Sequence, residues 1–97
     1  MLVSSDSQLI ARFRQGDPHA FDALVGKYGH DLFNLAYRLT ADAAQAEEIT
    51  VEVFLSAYQT LRRRPGPADL EIWLYRLAAD LCRNDLGARR LYRPAVG

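Results

Sequence analysis

The apolar positions of this 97-residue chain fall into four stretches of helical spacing, separated by residues that start and stop helices. Leu9, Ile10 and Phe13 give a short first face, with Ser5 and Gln8 spaced as a capping box and Gly16 closing the segment. Asp17-Pro18 restarts the chain, Asp as N-cap and Pro in the first helical position. Phe21, Leu24, Val25, Tyr28, Leu32, Leu35, Ala36 and Leu39 then form one continuous stripe. Gly26 and Gly29 weaken it locally and are expected to let a neighbouring helix come close.

The next segment, AEEITVEVFLSAY at residues 46–58, has strand-like alternation and several β-branched residues. A helix explains it better. Ala46, Ile49, Val53, Ala57 and Leu61 make a stripe four turns long, and Asp42 with Gln45 supplies a second capping spacing. A strand would put Phe54 on the face of Glu52 and lose its pattern beyond Leu55. Amphipathic packing outweighs the few tenths of a kcal/mol per residue that Ile, Thr and Val cost a helix.

Pro65-Gly66-Pro67 ends the third helix and Asp69 can cap a fourth. There Leu70, Leu74, Leu77 and Leu81 form one apolar face, and Tyr75, Ala79, Cys82 and Leu86 a second, nearly opposite, so that helix is expected to be sandwiched. A narrow polar stripe remains, Asp69, Arg76, Asp80, Arg83 and Arg90, with Trp73 at its border. The pattern predicts an all-α fold, one compact four-helix domain over 1–97, with helices at about 6–15, 18–40, 43–63 and 69–91.

Length and composition fit that reading: 97 residues hold one core, and 49% apolar with 25% charged is ordinary for a globular domain. No apolar run approaches the roughly 18 residues that span a bilayer, so membrane insertion is not expected. The start, MLVSSDSQ, lacks the features of a signal peptide, and the lone Cys82 suits a reducing cytoplasm. The zero net charge conceals segregation. Residues 1–61 carry four basic side chains against eight acids, whereas residues 62–93 carry eight arginines against four acids. Two readings of the split stay open, chance on a small chain or two partners of opposite charge, with nucleic acid a candidate at the basic end.

Enzyme chemistry finds little support. His19 and His30 lack ligand spacing, one cysteine cannot build a thiolate zinc site, and adjacent Glu47 and Glu48 point in different directions. No catalytic residue, metal or cofactor is expected. Two surfaces carry more signal. On the outward face of the third helix, Val51 and Leu55 stand beside Glu48, Glu52 and Gln59. Two readings stay open, a solvated acidic face with stray apolar residues or a partner-docking face with an apolar centre. The second surface combines Arg62, Arg63 and Arg64 with Trp73 and the arginine stripe. Those arginines suit a helix C-terminus, and the same set suits a platform for unpaired bases.

Three segments, LIARFRQGDPHAFDALVGKY, ADAAQAEEITVEVFLSAY and EIWLYRLAADLCRND, resemble in order region 2 of bacterial extracytoplasmic-function sigma factors, the promoter-recognising subunits of RNA polymerase. The resemblance runs from about residue 9 to 90 and rests on a GD-x-x-AF opening, an acidic A-E-[DE]-[ILV]-x-x-E-x-F helix and a WLYR-[IL]-A helix. It implies a polymerase-binding face at Glu48, Val51, Glu52 and Leu55 that docks on the clamp helices of the largest core subunit. It also implies contact with the non-template strand of the promoter −10 element through Arg62, Arg63, Arg64, Gly66, Trp73, Arg76, Asp80, Arg83 and Asn84. An anti-sigma factor and a cytoplasmic location are further implications.

The sequence departs from the family pattern at three points. Val51 stands where Gln is usual, Asp80 stands where Asn is frequent, and the chain stops after region 2 without the second helical domain. An acid at 80 would repel phosphate and accept from a base amino group. Val51 and Asp80 keep a second expectation alive, a sigma-like module that sequesters a partner without promoter recognition.

Overall fold

The computed structural model of the protein describes residues 5–63 and 66–92, with side chains through residue 84. Four helices follow in order, α1 (Ser5–Arg14), α2 (Pro18–Thr40), α3 (Ala43–Arg63) and α4 (Leu70–Tyr92), and the described residues contain no strand. The bounds lie within a residue of those expected, and AEEITVEVFLSAY is helical throughout.

The punctuation works mostly as the residue types dictate. Asp17 caps α2, its Oδ1 accepting from the His19 amide at 2.9 Å, while Pro18 occupies the first turn. The turn before it needs a left-handed residue, and Gly16 supplies one at φ +99°. Asp42 Oδ1 accepts from the Gln45 amide at 3.1 Å to open α3, and Asp69 Oδ1 accepts from the Ile72 amide at 3.1 Å to open α4. α2 ends on Ala41, a non-glycine residue at φ 56° whose amide donates to the Tyr37 carbonyl at 2.7 Å. The Ser5–Gln8 capping box does not form among the described residues. Ser5 Oγ instead accepts from Lys27 Nζ at 3.2 Å, because Lys27 is drawn to the neighbouring Asp6.

α2 is the central element, packing against α1, α3 and α4, while α3 also touches α1 and α4. Every fourth residue of α2 from Ala20 to Ala36 is buried, Ala20, Leu24, Tyr28, Leu32 and Ala36. They face Ala46, Ile49, Val53, Ala57 and Leu61, the stripe expected of α3. Alanines at 20, 36, 46, 57 and 78 are almost fully buried, which lets the helices approach closely while larger side chains fill the gaps.

The sequence pattern needs correction at four places. Val25 and Leu39, assigned to the α2 stripe, are 36% and 44% exposed, because the small Ala20 marks the true line. The two opposite apolar faces of α4 are one broad face: Leu70, Leu74, Ala78 and Cys82 are buried, with Leu77, Leu81, Tyr75 and Ala79 half-buried beside them. A four-residue step drifts about 40° around a helix, so such a stripe sweeps across both supposed faces. Leu86 falls outside the described side chains. Gly26 faces open space, and a side chain at Gly29 would meet Phe54 only at ordinary contact distance, so neither glycine marks a close helix approach.

Candidate polymerase and nucleic-acid interfaces

α3 carries both candidate surfaces in succession. Its buried stripe fixes its rotation, so residues on the opposite side must face solvent. Glu48, Val51, Glu52, Leu55 and Gln59 are all exposed, Val51 at 54% and Leu55 at 58%. Val51 and Leu55, one turn apart, form an apolar centre bordered by the two glutamates. This face makes no ion pair or side-chain hydrogen bond of its own among the described residues.

The same helix becomes basic at its end. Arg62 and Arg63 are exposed, and the Arg62 guanidinium lies over the Tyr58 ring, 5.6 Å from its centroid. Tyr58 is held edge-on by Phe13 and Phe21, at centroid distances of 5.1 and 5.2 Å. These rings floor a cleft of about 480 Å³ at the α1–α2 turn, with Arg14, Asp17 and Arg62 around it. Arg64 falls outside the described residues. Gly66 is half-buried, and a side-chain carbon there would come within 3.2 Å of Ile10 Cδ1 and 3.5 Å of Leu61 Cδ2. Its place in the sequence is thus accounted for by packing under the loop.

On α4, Trp73 is half-buried at the edge of the exposed stripe, while Arg76, Asp80, Arg83 and Asn84 are exposed. Asp80 and Arg83 are joined by an ion pair one turn apart on the helix. Two of the expected nucleic-acid residues therefore engage each other, whereas Arg62, Arg63 and Arg76 have no ion-pair partner among the described residues. Ile72, 51% exposed on the same side of α4, is not among the residues the sequence singled out, because it belongs to neither apolar series and carries no charge. Tyr58 escaped it too, although its four-residue spacing from Arg62 is visible in the chain.

The shifted titrating groups belong to the scaffold, with Asp17 at the rim of the cleft. The Arg12 guanidinium, bonded to Asp17 Oδ2 at 2.8 and 3.1 Å, and then the His19 amide hold the Asp17 carboxyl below its usual range. Burial first, and then the hydrogen bond its hydroxyl donates to Asp6, push Tyr28 above the ordinary tyrosine range. Tyr75 is raised by burial and next by the charge of Asp31. His19 and His30 are exposed, Cys82 is buried, and no cluster of three metal-ligating side chains occurs among the described residues. No helix there is long and apolar enough to cross a membrane.

With this geometry in place, comparison with known proteins is decisive about ancestry. Residues 24–92 match the family described as sigma-70 region 2. The chain belongs to that family. It is 40% identical over 84 residues to the RNA polymerase sigma-H factor of Pseudomonas aeruginosa, an overlap of 87% of this chain and 44% of the relative. It is 32% identical over 85 residues to the ECF RNA polymerase sigma-E factor of Escherichia coli K12, covering 88% and 44% respectively. The chain thus spans less than half the length of these curated relatives. Among solved structures it is similar to an engineered region 2 of sigmaE, determined by NMR in complex with GTAAAA. The TM-score is 0.77 at 32% identity, over 90% of this chain and 93% of that one. The fold expected from the sequence, an all-α sigma region 2 domain, is the fold observed.

Proposed function

We propose that this sigma region 2 domain joins core RNA polymerase to the promoter −10 element during transcription initiation, acting in the cytoplasm without catalysis. The carrying observation is the division of α3: an apolar centre at Val51 and Leu55 rimmed by Glu48 and Glu52, followed within two turns by Arg62 and Arg63. The acidic face docks on the clamp helices of the largest polymerase subunit. Solvated acids alone would leave two large apolar side chains exposed in one patch without a role.

The basic end of α3, the loop after it and the exposed stripe of α4 hold the non-template strand. Arg62, Arg63 and Arg76 supply phosphate contacts, and Trp73 offers a planar surface to an unpaired base. The GTAAAA complex of the similar sigmaE domain supports this half of the proposal.

Binding to isolated clamp helices tests the first half. Leu55→Asp is expected to weaken it at least tenfold, since it places a charge at the apolar centre of the contact. Because Leu55 is 58% exposed, the melting temperature should stay nearly unchanged. Equal binding by both proteins would reject the face. Titration of single-stranded −10 oligonucleotides tests the second half. Affinity should fall as salt rises, and salt-independent binding would reject phosphate contact.

A further inference from the structure

The family match begins at residue 24, beyond the first helix, yet α1 reaches the end of α3 at two points and Gly66 beyond it at a third. Arg14 Nε donates to the Leu61 carbonyl at 3.0 Å, a partly buried bond between residues 47 apart in sequence. Leu61 lies in the last turn of α3, where carbonyls have no partner within the helix. An external donor there ties the last turn of α3 to α1. Phe13 packs edge-on against Tyr58 at 5.1 Å, and Tyr58 in turn carries the Arg62 guanidinium on its ring. Ile10 lies under Gly66, so close that a methyl group at 66 would approach its Cδ1 to 3.2 Å.

The three contacts recur along one face of α1, at residues 10, 13 and 14, and each ends on the segment that carries the basic loop. We infer that α1 is the positioning element for this loop, with Arg14 as a positioning residue that sets the exit of α3 and so the placement of Arg62 and Gly66. The inference rests on the reading of the loop as the nucleic-acid contact. Ile10 and Phe13 also belong to the core, and the packing of α1 on α2 is secured at its two ends by Asp17–Arg12 and Asp6–Lys27. The bond to Leu61 adds nothing to that packing, but it restrains the loop. Its long sequence separation means that only the folded chain can supply it.

Arg14 has two properties that substitution can separate, a donor at Nε and a charge. Gln presents an N–H donor at the same number of bonds from the backbone without the charge, whereas Met has similar length and no donor. Arg14→Met is expected to weaken binding of a single-stranded −10 oligonucleotide by roughly tenfold, the scale of one lost hydrogen bond from a charged donor. Arg14→Gln should recover most of that loss. The salt dependence should keep its slope in both variants, since Arg14 acts on the loop and not on phosphate. A slope shallower by about 0.7 would instead make Arg14 a direct phosphate contact and overturn the inference.

A second readout needs no nucleic acid. The nuclear Overhauser contact between the Gly66 α-protons and the Ile10 δ-methyl should weaken in Arg14→Met and persist in Arg14→Gln. An unchanged contact in Arg14→Met would overturn the positioning role. If the parent protein binds no oligonucleotide while this contact responds as expected, the nucleic-acid reading fails and the positioning role stands. Binding by the parent with identical affinity in Arg14→Met leaves the nucleic-acid reading intact and removes the inference.

Discussion

Replacing Asp80 by Asn removes the acid from the exposed stripe of α4 and releases Arg83 from its ion pair. The pair joins side chains that remain 76% and 55% exposed, so it contributes only about 0.3–0.5 kcal/mol to stability and its loss should hardly move the melting temperature. The effect on nucleic acid is larger. A carboxylate about 4 Å from a phosphate costs about 1 kcal/mol in water, which corresponds to roughly fivefold in affinity. Arg83, once released, can neutralise one more phosphate, and each such contact steepens the salt dependence on single strands by about 0.7. Fluorescence anisotropy with a labelled −10 oligonucleotide between 50 and 200 mM salt should therefore show Asp80→Asn binding more tightly at the low end. Its advantage should shrink by about 2.6-fold across that fourfold range of salt. An unchanged slope would refute phosphate capture by Arg83. Weaker binding confined to oligonucleotides with adenine or cytosine at one position would show that Asp80 accepts from a base amino group, and repulsion would not be its main effect.

Two further outcomes concern the scaffold. Ala41 holds a left-handed conformation that costs an L-residue about 1–2 kcal/mol, against about 0.5–1 kcal/mol of extra unfolded-state entropy for glycine. Ala41→Gly should thus stabilise the domain by about 0.5–1 kcal/mol in urea titrations, and a loss of stability would contradict the strain assigned to this cap. Burial and the bond to Asp6 raise the folded-state pKa of Tyr28 above its unfolded value. The stability linked to this group is therefore complete below pH about 10 and drains away as pH rises through the folded value. Urea midpoints should fall less steeply above pH about 10 in Tyr28→Phe than in the parent, and parallel curves would exclude the linkage.

The helices were legible because their signals are local. Asp17-Pro18, Asp42 and Asp69 begin helices by bonding amides two or three residues ahead, and a period near 3.6 sets the inward face of α3 without reference to any other segment. The same periodicity forces Val51 and Leu55 outward once Ile49 and Val53 are inward, so the candidate docking face was determined by sequence alone. The core line of α2 and α4 was less legible. Small residues such as Ala20 and Ala78 attract no notice in a count of bulky side chains, yet they sit where helices come closest.

What tertiary structure alone decided are the contacts between segments far apart in the chain. Nothing in the local pattern pairs Arg14 with the Leu61 carbonyl, sets Phe13 against Tyr58 or lays Gly66 on Ile10. Each depends on how three helices dock, which is set by the summed fit of many side chains and not by any one of them. The strand-like run AEEITVEVFLSAY marks the boundary between the two kinds of information. Its helical rotation is written in its own spacing, while the bond that ties the last turn of its helix to α1 comes only with the fold.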